Sequence, residues 1–164
     1  MKKIGKIGRV NIAKLIISLI LPFLAGFIGS WFTFPNIESW YMGLNKPFFN
    51  PPNWLFGPAW TTLYILMGAS FFLVWKMGFG KKEVRLAVMI YLVQLALNSL
   101  WSIIFFGLHN LALAFMEITV LWVAILATII CFRKVGRNAA LLLVPYILWV
   151  SFASVLNYFV MILN

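Results

Sequence analysis

NLALAFMEITVLWVAILATIICF, residues Asn110–Phe132, carries a single charged side chain, Glu117, and ends against Arg133 and Lys134. About 20 residues at 1.5 Å rise cross roughly 30 Å of hydrocarbon, so this run is long enough to span a bilayer as a helix. Four more apolar runs resemble it in length: residues 12–33, 58–76, 84–106 and 138–162. In lipid every backbone amide needs a partner within its own segment, which predicts helices for all of them. Barrel strands alternate with period two over about ten residues, and these runs do not. The expectation is one domain, residues 1–164, built as an all-α integral membrane bundle of five transmembrane helices.

Composition supports that reading. Apolar side chains make up 64 % of the 164 residues and charged ones 10 %. A soluble domain runs near about 45–50 % and about 25 %. A water-soluble fold of this size has too much surface to hide so much hydrocarbon. A disordered chain would be polar. Both a soluble enzyme domain and a disordered segment are therefore excluded.

The net charge is +10, from 13 Lys and Arg against three acids. Binding of nucleic acid needs a continuous basic face. Here the charges lie between apolar runs, so membrane lipid with anionic headgroups is the expected partner and nucleic acid is not. Lys2, Lys3, Lys6, Arg9 and Lys14 precede or open the first run. Lys76, Lys81, Lys82 and Arg85 separate the second and third, and Arg133, Lys134 and Arg137 the fourth and fifth. With five spans all of these fall on one side, and only Lys46 falls opposite. The positive-inside rule then places the N-terminus in the cytoplasm and the C-terminus outside, for a plasma-membrane setting. The basic start also has the look of a signal peptide. Its apolar stretch continues through Phe34, longer than a signal core, so it is read as a retained span.

Few residues can carry chemistry. One His and one Cys cannot build a metal site or a nucleophilic triad, so no metal is expected. Cys131 is read as a packing residue and His109 as a solvated turn residue. Polar groups inside spans are more informative because each is costly in hydrocarbon. Gln94, Asn98 and Ser102 share one face of the third span, extended by Tyr91, Trp101 and Phe105. They are either interhelical hydrogen-bonding groups or ligand contacts. The ligand reading is favoured for Asn98, which stands beside Trp101. Glu117 is the one acid within a hydrocarbon run. A polar pocket contact is preferred to proton coupling, because no second acid or His offers a relay.

Aromatic side chains recur at helical spacing. Trp60, Tyr64, Phe71 and Trp75 line the second span, with Trp75 assigned to an interfacial belt. Tyr146, Trp149, Ala153 and Asn157 share a face of the fifth, just after Pro145. Trp60 and Trp149 each stand near a Pro and small residues that leave room, so they are the stronger candidates to grip a large flat apolar molecule. Residues 35–57 form a long connection holding Pro35, Pro47, Pro51 and Pro52 with Trp40, Tyr41, Phe48, Phe49 and Trp54. It is either an interfacial belt or a lid over the outer mouth of the bundle. Ala25, Gly26, Gly29 and Ser30 permit close helix approach, within the bundle or at a dimer seam.

Three stretches carry a resemblance. KPFFNPPNWLFGPAWTTLYILMGAS (Lys46–Ser70), YLVQLALNSLWSIIFFG (Tyr91–Gly107) and LLVPYILWVSFASVLNYFVMILN (Leu142–Asn164) resemble the TspO/MBR family. This is the family of tryptophan-rich sensory proteins, translocator proteins and peripheral-type benzodiazepine receptors, and the likeness is to its bacterial members. The resemblance implies a cavity under the first loop, open toward the side that holds it. It implies binding of tetrapyrroles, namely protoporphyrin IX and haem-related porphyrins, and of synthetic benzodiazepine and isoquinoline ligands. It also implies a homodimer. No cofactor is called for; porphyrin enters as ligand or substrate. Some members are linked to light- and oxygen-dependent porphyrin degradation, so the question of an enzymatic role stays open. The alternative function is transport of porphyrins or other amphipaths.

On this pattern Trp60 and Trp149 take the role in porphyrin reactivity. Asn98, Trp101, Glu117 and Ala153 fall in the ligand pocket, and Tyr41 and Pro51 lie on the loop above it; Phe105 joins the candidate ligand contacts through the helix face it shares with Trp101. Glu117 stands where relatives often carry Asp. Asn157-Tyr158 is followed by FVMILN, without Lys or Arg, which weakens a sterol role.

Overall fold

The computed structural model describes the backbone of residues 2–164 and the side chains from Asn11 onward. Lys2, Lys3, Lys6 and Arg9, part of the charge pattern above, have side chains outside the described residues. Helix α1 covers Lys2–Ser39, α2 Asn53–Trp75, α3 Lys82–Ser102, α4 Leu111–Val135, α5 Arg137–Leu142 and α6 Val144–Leu163. Among the described residues five segments are long and apolar enough to cross a membrane: Asn11–Ser39, Asn53–Trp75, Lys82–Gly107, Leu111–Val135, and Arg137–Leu163, which joins α5 to α6. The five-helix membrane bundle expected from the sequence is the observed fold.

The helices form a closed ring. α1 packs on α2 and α3, α3 on α4, α4 on α5 and α6, and α2 returns to α5. Residues without bulk make the closest crossings possible. A Cβ on Gly68 would lie 2.8 Å from the Ser18 carbonyl oxygen, so α1 and α2 touch backbone to backbone. A Cβ on Gly26 would meet the Tyr64 ring, and one on Gly29 would lie 2.9 Å from Ser102 Oγ. Ala25 is buried, and its carbonyl accepts from Ser99 Oγ at 2.9 Å. The small residues Ala25, Gly26 and Gly29 therefore serve packing inside the bundle.

Two boundaries differ from the sequence expectation. The loop predicted at 35–57 spans only residues 40–52, because α1 runs on through Pro35 to Ser39 and α2 already begins at Asn53. Proline removes one ladder bond, and a membrane helix tolerates this where neighbouring groups hold it. Around Pro35 the side chains of Thr33, Asn36 and Ser39 each donate to the carbonyl four residues back, at 3.0, 2.9 and 2.8 Å. Pro52 is the extended N-cap of α2, and Pro58 sits within the helix. Trp54 is thus helical and 70 % exposed.

The last two spans show local irregularities with evident causes. Pro145 has no N–H for the carbonyl of Leu141, and the helix breaks at Leu143 into α5 and α6. At the end of α3 a π-turn, Ile103–Gly107, is closed by Leu108 N–H donating to the Ile103 carbonyl at 2.9 Å. The wider turn lets the consecutive rings of Phe105 and Phe106 both bury. Gly78, in the turn that follows α2, has φ +80, a left-handed conformation that suits glycine.

His109 is not merely a solvated turn residue. It sits at φ 52, stacks on Trp40 with centroids 4.2 Å apart and shares a 2.9 Å hydrogen bond with Asn36 Oδ1. It thereby ties the α3–α4 turn to the end of α1.

Candidate functional site: an aromatic interior beside a lateral groove

The aromatic side chains singled out above divide into two groups: Phe71, Trp75 and Tyr91 stack together toward the far end of α2, and the others gather nearer the loop. Trp60 lies half-buried against Tyr64 (5.4 Å between centroids) and Tyr146 (6.3 Å). Trp149, also half-buried, meets Phe56 edge-on at 6.0 Å and Phe152 at 5.8 Å. Trp101 stacks on Phe105 at 4.9 Å, and Tyr41 reaches Phe105 at 6.2 Å. Ala153 packs half-buried against the main core, as Trp60, Trp101 and Trp149 do. Tyr41 and Phe105 belong to a second buried cluster under the loop, with Phe106, Ala114 and Leu156.

Polar groups from three spans form one chain through this interior. Tyr64 OH donates to Asn98 Oδ1 at 3.5 Å, Asn98 Nδ2 donates to Tyr146 OH at 3.1 Å, and Tyr146 OH donates to Gln94 Oε1 at 3.1 Å. Both readings of the third-span polar face thus apply to Asn98: it bonds between helices and sits beside the aromatic cluster. Trp101 Nε1 is occupied too, donating to Asn157 Oδ1 at 3.0 Å. Ser102 faces Gly29 of α1 instead. Glu117 differs from the rest. It is 7 % exposed, and neither carboxyl oxygen has a hydrogen-bond partner among the described residues.

Asn98→Leu is expected to cost about 1 kcal/mol of bundle stability. Hydrogen bonds between membrane helices are worth roughly 0.6 kcal/mol on average, and Tyr146 keeps its bond to Gln94. Thermal unfolding in lipid nanodiscs checks this; a loss above about 3 kcal/mol would mean that Asn98 holds more than two tyrosines.

A groove of about 730 Å³ lies between α2 and α6. Pro51 and Trp149 line it, as do Pro58, Ala59, Pro145 and Phe152. It exists because α2 is pinned at its far end, where Ser70 Oγ donates to the Ala139 carbonyl at 2.7 Å, and scarcely touches α6 nearer the loop. The groove opens on the flank of the bundle, whereas the resemblance implied an opening on the loop side. Tyr41, Trp60, Asn98, Trp101, Phe105, Glu117 and Ala153 lie outside its lining, packed in or against the interior. Phe56 and Phe152 were missed by sequence reasoning. Phe152 had a signal, since it follows Trp149 by three residues and shares its face.

The loop above this interior is held by Tyr41. Its hydroxyl donates to Asn50 Oδ1 at 3.2 Å, and Lys46 Nζ lies 4.5 Å above its ring. Burial pushes the Tyr41 phenol above its ordinary value, while the Asn50 bond pulls the other way. The phenol therefore keeps its proton at neutral pH and remains a donor.

The sequence profile of the TspO/MBR family matches residues 18–163. The chain belongs to the TspO/MBR family. The tryptophan-rich protein TspO of Archaeoglobus fulgidus is 44 % identical over 155 residues, covering 94 % of this chain and 99 % of the relative. The translocator protein of Homo sapiens is 41 % identical over 141 residues, covering 85 % and 83 %. The tryptophan-rich sensory protein of Cereibacter sphaeroides is 40 % identical over 128 residues, covering 77 % and 78 %. This TspO/MBR chain is accordingly an integral membrane protein, and its likeness to these relatives runs through most of its length.

Proposed function

We propose that this TspO/MBR chain is a membrane receptor for tetrapyrroles, protoporphyrin IX and haem-related porphyrins, which also accepts synthetic benzodiazepine and isoquinoline ligands. The observation that carries the reading is the pair Trp60 and Trp149. Both are half-buried and ringed by other aromatics, and Trp149 opens onto an apolar groove of about 730 Å³. That volume lies within the range of about 300–1,000 Å³ usual for small-molecule sites. Stacked rings hold a flat apolar guest with about 0.5–1.5 kcal/mol per aromatic pair beyond area burial. Asn98 and Glu117 supply polar groups for its edges, and Tyr41, Pro51, Trp101, Phe105 and Ala153 shape the surrounding wall and roof.

The same two indoles are the groups proposed to react with light-excited porphyrin where oxygen is present. The protein acts as a homodimer in a bacterial plasma membrane, with the N-terminus cytoplasmic and the C-terminus outside. The described side chains of Lys14, Lys76, Lys81, Lys82, Arg85, Arg133, Lys134 and Arg137 support that orientation, since all lie at or near the span ends opposite Lys46.

Titration of protoporphyrin IX into the purified protein in nanodiscs tests the reading. Saturable quenching of porphyrin emission is expected. Trp60→Phe combined with Trp149→Phe should weaken it at least about tenfold, as loss of buried indole anchors does elsewhere. Non-saturable quenching, or equal affinity in the double variant, would overturn the assignment.

A further inference from the structure

The loop end of the bundle is sealed by directed bonds. Asn45 N–H donates to Asn164 Oδ1 at 2.9 Å, Asn164 Nδ2 donates back to the Asn45 carbonyl at 3.0 Å, and Asn45 Nδ2 donates to the Leu163 carbonyl at 3.2 Å. Phe49 packs edge-on against Phe159 at 5.3 Å and Phe152 at 6.4 Å. Pro47 is buried. Directly beneath, the rings of Tyr41, Phe105 and Phe106 fill the space and are themselves buried.

The flank is built differently. Between α2 and α6 the groove is bounded by Pro58 and Ala59 on one side and Pro145 and Leu148 on the other. The Thr62 hydroxyl on its wall is spent on the Pro58 carbonyl at 2.9 Å. Both walls belong to membrane-spanning segments, so the groove opens onto acyl chains. Trp149 lies on its wall and contacts Phe56. An occupant of the groove therefore meets the Trp149 and Phe152 rings directly, at the edge of the aromatic cluster.

We infer that the ligand enters sideways from the hydrocarbon phase, between α2 and α6, with residues 40–52 serving as a fixed roof. The inference rests on the tetrapyrrole reading above. A flat apolar molecule dissolves in the bilayer, and on the flank it displaces only acyl chains. Entry through the roof would require breaking the Asn45–Asn164 bonds and separating Phe49 from α6. The occupant is the aromatic ligand itself, because the groove is continuous with the indole and phenyl faces that would stack on it.

The test uses the full chain in nanodiscs, with protoporphyrin IX delivered from vesicles and porphyrin emission followed by stopped flow. Ala59→Phe narrows the groove. Thr62→Phe does so from an exposed position, where misfolding is not a concern. Each should slow association and dissociation about tenfold and leave their ratio within about twofold, as a narrowed gate does. Asn45→Cys with Asn164→Cys, oxidised to tie down the roof, should leave both rates as they are in its reduced form. Exchange that stops on oxidation and returns on reduction would make the roof the door and overturn the inference. Rates unmoved by either groove variant would leave the groove to lipid and overturn it too. A change in subunit number by light scattering without a change in rates would make the groove a seam between copies, which also defeats the lateral route. Saturable binding that is absent in the unaltered chain would remove the tetrapyrrole reading itself; binding that persists with insensitive rates removes only the route.

Discussion

Gly68→Leu is expected to abolish the folded bundle. A Cβ at this position lies 2.8 Å from the Ser18 carbonyl oxygen and 2.9 Å from Leu19 Cα. These are backbone atoms of α1, which no rotamer change can move aside. Overpacking a well-filled core costs about 1–3 kcal/mol when side chains can yield, and more when they cannot. Here α1 would have to leave α2. That movement would also disturb Gly26 against Tyr64, and through Tyr64 the hydrogen bond to Asn98. Gly57→Ala is the contrasting case. Nothing lies within 4 Å of a Cβ there, the residue is exposed within α2, and the change should stabilise by about 0.5–1 kcal/mol by removing glycine's extra chain entropy. Expression and thermal unfolding of both variants check the pair. A Gly68→Leu protein that unfolds within a few degrees of the unaltered chain would show that the α1–α2 crossing is not that close.

Glu117→Met should make the bundle more stable and the receptor worse. Among the described residues neither oxygen of the buried carboxyl has a partner, and an unsatisfied buried polar group costs about 1–3 kcal/mol. Met has similar length, fills the same space and carries no strong polar atom. A gain of about 1–3 kcal/mol is therefore expected. Loss of this carboxyl from the aromatic interior should weaken protoporphyrin IX binding, by about tenfold if one hydrogen bond of about 1.5 kcal/mol is lost. Natural sites keep such costly groups where function needs them. A fall in thermal stability would mean that Glu117 has a structural partner. Unchanged affinity would remove it from the site.

Much of this molecule is legible in its residue order. The five spans follow from run length and hydrogen-bond accounting, since hydrocarbon offers backbone amides no outside partner. The ends of the spans are less legible. Pro35 reads as punctuation in the sequence, yet it lies inside a helix. Proline removes a single bond, and the side chains of Thr33, Asn36 and Ser39 steady the chain around Pro35 in a way composition does not announce. The candidate site is legible as a set of residue types on helix faces. Its division into a packed interior and an open groove is not. That division depends on where α2 is pinned to α5, through Ser70 and Ala139.

The amino-acid order alone determined that the chain lives in lipid, how many times it crosses and which faces carry its indoles, because each follows from local periodicity and the energy of burying polar backbone. The tertiary structure decided which neighbours those faces meet. It closed the ring of helices, left Glu117 without a partner among the described residues, tied Asn45 to Asn164 and opened the flank between α2 and α6. Such choices depend on sub-ångström fits between helices far apart in sequence, where a missing Cβ at Gly68 or a missing N–H at Pro145 sets the angle for a whole span, and no local pattern encodes them.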